Sequence, residues 1–181
     1  MQQLKLTFAL IIAVLLQWTL RNVAEPFAYI DFPLIIVVYA ALHRDSLKAI
    51  FFGTFAGIAV DALSGGLLGA SGFSKTLVAY AVSELARRVY LDNLLLRIPV
   101  IAGACILNDL LYFGLHRLLG QPSSADLLVT VSYSVIGTTI TGTIVYLLME
   151  YMMADRTRPK RREGFSARRQ TRRRNPIRLN K

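Results

Sequence analysis

The chain has 181 residues, about the length of one domain, and 54% of them are hydrophobic, with a mean hydropathy of +0.47. Its single cysteine, Cys105, excludes an intrachain disulfide and a multi-cysteine metal site. The net charge of +10 sits in one place: nine basic residues balance nine acidic ones from Met1 to Ala154, while twelve basic residues face two acidic ones from Asp155 to Lys181. A neutral, apolar body with a basic tail reads as an integral membrane protein rather than a water-soluble domain.

A spanning helix needs about 20 mostly apolar residues, and six candidates follow in order. The first, Leu4 to Leu20, could pass for the apolar part of a signal peptide, but Val23-Ala24-Glu25 is a poor cleavage site and further spans follow, so it is read as an uncleaved helix. The second, Phe27 to Leu42, contains Asp31 and Pro33 and is the weakest of the six. The others are Leu47 to Leu63, Phe73 to Tyr90, Arg97 to Leu119 and Leu127 to Met153. Polar and turn-forming residues mark the joints: Arg21-Asn22, His43-Arg44-Asp45, Ser64-Gly65-Gly66, Asp92-Asn93 and Gln121-Pro122-Ser123-Ser124. The expectation is an all-α polytopic membrane protein of about six transmembrane helices, with five possible, built as a bundle over residues 1–154 and a basic tail over 155–181.

Lys and Arg are retained on the cytoplasmic side of short loops, so the tail predicts a cytoplasmic C-terminus. With six spans the inner segments hold Lys5, Arg44, Lys48, Arg87, Arg88 and Arg97, and the outer ones hold Arg21, Lys75 and Arg117. With five, Lys5 and Arg21 exchange sides and the balance is unchanged. The charge rule therefore does not choose between the two counts.

Chemistry is concentrated between Gly53 and Tyr80. Gly53 and Gly57 form a small-xxx-small pair that lets another helix backbone approach closely. Asp61 lies one turn further on the same face, where a carboxylate must find protein or water. Ser64, Gly65, Gly66 and Gly69 make a tight connection, and Lys75 follows on the same side of the membrane. Three readings stay open for Asp61: a structural role, pairing with Lys75 or capping the turn; a contact with a partner protein; and a ligand or ion site. The glycines do not form a phosphate loop, since no GxxxxGK[ST] pattern is present. Glu84, Asn108 and Asp109 are expected to lie within spans, where they could pair across the bundle with each other or with Lys75. His43 and His116 fall at opposite sides of a six-helix bundle and cannot share a metal, and no HExxH, GxSxG or acidic metal cluster occurs. No cofactor and no enzyme activity are expected. Trp18, Tyr29, Tyr90 and Tyr151 fit an interfacial aromatic belt.

The pattern Gly-xxx-Gly-xxx-Asp-xx-Ser-Gly-xx-Leu-Gly, on Gly53, Gly57, Asp61, Ser64, Gly65, Leu68 and Gly69 and ending in Tyr80, resembles the signature of the rod shape-determining protein family MreD. Asp31-Phe32-Pro33, the apolar run to Tyr39-Ala40 and the basic turn at His43-Arg44 extend the resemblance, which covers under a third of the chain specifically. The resemblance implies a non-enzymatic subunit of the bacterial cell-elongation machinery, in the inner membrane, acting with MreC-like and MreB-like proteins, the RodA glycosyltransferase and a penicillin-binding transpeptidase. It also implies a fold like the six-helix substrate-binding subunits of energy-coupling-factor transporters, and with it an alternative function as the binding subunit of a vitamin-type transporter. Pro33, Gly53, Gly57, Asp61, Ser64, Gly65, Leu68, Gly69 and Tyr80 are the motif positions carried over, with Lys75 beside them as a site candidate.

The tail carries Arg161, Arg162, Arg168, Arg169, Arg172, Arg173 and Arg174, with Pro159 and Pro176 and few apolar residues, and cannot bury enough surface to fold alone. Anionic lipid headgroups are its expected contact, at about 1 kcal/mol per Lys or Arg near the surface. An acidic protein is the second candidate. Nucleic acid is not expected, because no DNA- or RNA-binding module accompanies the arginines.

Overall fold

The computed structural model describes residues 2–23, 27, 29–65, 67–89, 94–120 and 127–154, so Tyr90 and the tail arginines lie outside the described residues. These form six α-helices: α1 (Gln2–Val23), α2 (Phe32–Ala41), α3 (Ser46–Ser64), α4 (Ala70–Arg88), α5 (Leu94–Leu118) and α6 (Leu127–Ala154). Four of them, α1, α3, α5 and α6, are long and apolar enough to cross a membrane, and the chain is a multi-pass membrane protein. The 19 residues of α4 have the length, but Ser71, Ser74, Lys75, Ser83, Glu84 and two terminal arginines make it too polar to be found by composition alone.

The second helix differs most from the sequence expectation. It starts at Phe32 and not at Phe27, because Asp31 and Pro33 begin the helix and do not sit inside it. The Asp31 carboxylate accepts a hydrogen bond from the Leu34 N–H at 2.9 Å, and Pro33 occupies the first turn, where a missing N–H costs nothing. Ten residues rise about 15 Å, half the ~30 Å hydrocarbon core. Every residue of α2 from Pro33 to Ala41 is buried. This short apolar helix is wrapped by α1, α3, α4, α5 and α6. Where the chain enters the bundle, Gln17 of α1 accepts from the Phe32 N–H at 3.0 Å and Thr138 of α6 from the Asp31 N–H at 3.2 Å. Those side chains satisfy backbone donors that lipid could not.

Contacts between helix ends give the direction of each helix. Leu6 near the start of α1 packs with Tyr39 at the end of α2 and with Tyr146 and Met149 near the end of α6. Arg97, early in α5, bonds Glu150 at 3.2 Å and lies 4.7 Å from the centroid of the Tyr146 ring. Ser46 at the start of α3 meets Ser83 near the end of α4 at 2.9 Å. The start of α1 and the end of α6 therefore share one end of the bundle, here the tail end, and the six helices alternate in direction between it and the far end. At the tail end, Asp45 caps α3 through the Lys48 N–H at 3.4 Å, and the hydrogen bond from the Lys48 ammonium holds the Asp45 carboxyl below its usual range. The buried core runs along the middle of the bundle, through Leu34, Val37 and Val38 of α2, Ala49 and Ala56 of α3, Val78, Ala79 and Val82 of α4, and Ala104 and Cys105 of α5.

Candidate functional site

The α3–α4 hairpin is the most closely packed pair of helices, and glycine makes it so. A Cβ placed on Gly57 would overlap the Cα and N of Gly72 and the carbonyl oxygen of Ser71; one on Gly53 would come within 2.7 Å of the Lys75 carbonyl oxygen. The two helices therefore touch backbone to backbone, the contact that small residues permit in lipid. Thr54 and Thr76 join them with a hydroxyl hydrogen bond at 2.9 Å. Gly57→Ala is expected to lower stability by about 2 kcal/mol, since an overpacked contact against backbone has no side chain to move aside. Gly103→Ala is expected to be close to neutral, because nothing lies within 4 Å of a Cβ there. Thermal unfolding of both variants in detergent checks the contrast.

At the far end of the hairpin, Asp61 is 3% exposed and takes the role of a helix cap supplied from another helix. The residue at the N-cap position of α4 is Gly69, in the left-handed region at φ 97° and with no side chain to offer. Asp61 replaces it: its carboxylate accepts from the N–H groups of Gly69 at 2.8 Å, Ser71 at 3.0 Å and Gly72 at 3.3 Å. The N-terminal end of α4 supplies partial positive charge as well as donors. Gly65 ends α3 at φ 64°, also left-handed, which is the ordinary way a helix closes before a turn. Of the two structural roles open to Asp61, the structure has the cap. It does not pair with Lys75.

Lys75 reaches the other way, to Asp31 at the start of α2, at 2.5 Å and 44 residues distant in sequence. Its side chain is 3% exposed and that of Asp31 is 21% exposed. Asp31 therefore both caps α2 and neutralises a buried ammonium of α4. Of the remaining polar residues, Asn108 and Asp109 meet each other, though as neighbours on one helix and not across the bundle, and Glu84 meets neither of them nor Lys75. Glu84 bonds Arg88 at 3.0 Å on its own helix, at the tail end. Asn108 accepts from the Ser74 hydroxyl at 3.1 Å and donates to Asp109 at 3.2 Å. His43 and His116 bond the carbonyl oxygens of Tyr39 and Tyr112, four residues before each.

The remaining motif residues divide by burial. Pro33 is buried in the first turn of α2. Ser64, Leu68 and Tyr80 lie on the surface, Leu68 at 76% exposure and Tyr80 at 50%. Gly65, Gly69, Ser64 and Leu68 share the far-end turn. Sequence reasoning missed Gly72, Gln17 and Thr138, and it named Asp31 within the resemblance without taking it as a site residue. Gln17 and Thr138 carry no pattern that would have singled them out. Asp31 carried one, an acidic residue followed within two positions by proline.

No curated protein and no solved structure matches the chain. A family model does, that of the rod shape-determining protein MreD, over residues 1–155. The match extends over the whole bundle, well past the Asp31-to-Tyr80 stretch that carries the signature, and the chain belongs to the MreD family of rod shape-determining membrane proteins.

Proposed function

We propose that this protein is a non-enzymatic subunit of the bacterial cell-elongation complex. It sits in the inner membrane with the tail end cytoplasmic and helps to position peptidoglycan synthesis by binding MreC-like and MreB-like proteins, alongside RodA and a penicillin-binding transpeptidase. Family membership over residues 1–155 carries the reading. The division of the motif supports it. Gly53, Gly57 and Asp61 are consumed in building a rigid hairpin, whereas Leu68 is exposed on it and Tyr80 half-exposed. Apolar and aromatic side chains held on a rigid support are what a protein contact needs.

Depletion of the protein is expected to turn rod-shaped cells round, and cross-linking in native membranes is expected to recover an MreC-like partner. Cells that stay rod-shaped and a membrane with no such partner would sink the proposal. The double variant Leu68→Ala and Tyr80→Ala is expected to lose partner recovery while keeping the wild-type thermal midpoint. The tail acts separately, on anionic headgroups at the cytoplasmic surface. Truncation after Asp155 is expected to leave the thermal midpoint of the bundle unchanged and to lower binding to vesicles rich in anionic lipid, most clearly at low salt.

A further inference from the structure

Between α1, α3, α4, α5, α6 and the lead-in to α2, in the far half of the bundle, lies a cavity of about 340 Å³. About half of its lining is polar, in a protein whose other large opening is almost wholly apolar. Four of its lining residues are charged, Arg21, Asp31, Lys75 and Asp109, and Asn108 and Tyr112 are among those that add amide or hydroxyl groups. Their bonding is incomplete in a patterned way. Lys75 has three N–H donors and among the described residues spends one, on Asp31. Asp109, 9% exposed, receives bonds from neutral groups and has no ion-pair partner among the described residues. The Arg21 guanidinium and the Tyr112 hydroxyl likewise make no hydrogen bond among the described residues. Arg21 stands two residues from the far end of α1, and Asp109 nine residues from the far end of α5, which at 1.5 Å per residue puts it about 14 Å deep. Among the described residues the cavity thus has an unpaired positive charge at its mouth, on Arg21, and an unpaired negative one at Asp109, while Lys75, paired with Asp31, keeps two N–H donors for a guest.

A purely anionic or purely cationic guest would leave one of these ends opposed by like charge. A guest with both charges satisfies each of them and, being neutral overall, adds no net charge to a site where one is expensive. The volume is at the small end of the ~300–1,000 Å³ range of ligand pockets, enough for a molecule of amino-acid or dipeptide size. We propose that the cavity is a binding site for a small zwitterion of the amino-acid type, with its carboxylate on Lys75 and Arg21 and its ammonium on Asp109. Asn108 holds the Asp109 carboxylate in place, and Tyr112 offers its hydroxyl to the guest.

The test uses the full-length protein in lipid nanodiscs and pools of the common L- and D-amino acids and their dipeptides. A guest that binds the folded form raises the thermal midpoint. At least one pool is expected to do so, while acetate and methylamine, each alone at the same concentration, do not. Arg21→Gln and Asp109→Asn keep the size and most of the hydrogen bonding of the originals. Each is expected to keep the midpoint of the unloaded protein and to weaken binding about tenfold or more, the loss of one charged contact. If no pool moves the midpoint, the cavity holds water and the proposal is wrong. It is equally wrong if the shift persists undiminished in both variants. Cell shape and partner recovery play no part in these outcomes, so this inference and the scaffold function stand or fall separately.

Discussion

Asp61→Ala is expected to lower the stability of the bundle by about 3 kcal/mol, the loss of a carboxylate that accepts three backbone N–H groups at a buried helix start. The cost is large because nothing nearby can replace it. Gly69 has no side chain, the turn before it is short, and lipid offers no acceptor. Asp61→Asn keeps an acceptor oxygen and removes the charge, so it is expected to lose about 1 kcal/mol. Thermal unfolding in detergent and abundance in membranes check the order: wild type, then Asn, then Ala. Equal midpoints for wild type and Asp61→Ala would show that the start of α4 is satisfied by other means.

The order matters for function because Asp61 fixes the turn that displays Leu68. Melting the first turn of α4 would loosen Gly72 from Gly57 and, one turn further on, Lys75 from Asp31. A defect in partner binding caused by Asp61→Ala should therefore appear together with a stability defect. One caused by Leu68→Ala should appear alone. That difference separates residues that build the hairpin from residues it presents.

How much of this was legible in the sequence depended on the range of each interaction. The glycine face of α3 could be read directly, since four-residue spacing is a local property of a helix. The residue it packs on, Gly72, could not, because the hairpin register is set by a turn whose geometry the spacing does not give. The Asp31–Pro33 start of α2 was written in local residues too, yet the apolar run on both sides carried a hydropathy window straight across it. Counting crossings failed for a related reason. A ten-residue helix is half a span by length, and moving Lys5 and Arg21 leaves the charge balance the same for five or six. Only the cluster of Leu6, Tyr39, Tyr146 and Met149, which joins three distant segments, shows that the start of α1 and the end of α6 lie together.

The choice of partner for Lys75 was the least legible feature. Asp31, Asp61 and Asp109 were all available in the far half of the bundle, and Asp61 was nearest in sequence. The N–H groups at the start of α4 decided the matter. They occupy the Asp61 carboxylate and leave it no advantage in binding an ammonium, whereas Asp31 keeps one oxygen for the Leu34 N–H and the other for Lys75. Lys75→Met is accordingly expected to cost about 3–5 kcal/mol, because it strands the Asp31 carboxylate inside the bundle. Asp31→Asn retains the cap on α2 but strands the ammonium, at a cost of about the same size. The double variant, Asp31→Asn with Lys75→Met, removes both charges, keeps the cap and fills the space, and is expected to recover most of the loss. A double-mutant cycle on thermal or denaturant unfolding measures this: strong coupling, with the double variant more stable than either single, is the expected result. Simple additivity would show that the two charges do not depend on each other. Since α2 is too short to be fixed by its own ends, the recovered double variant should also locate α2 less firmly against α4. Proteolysis of the Leu42–Asp45 turn, faster than in wild type at equal stability, would report that looseness.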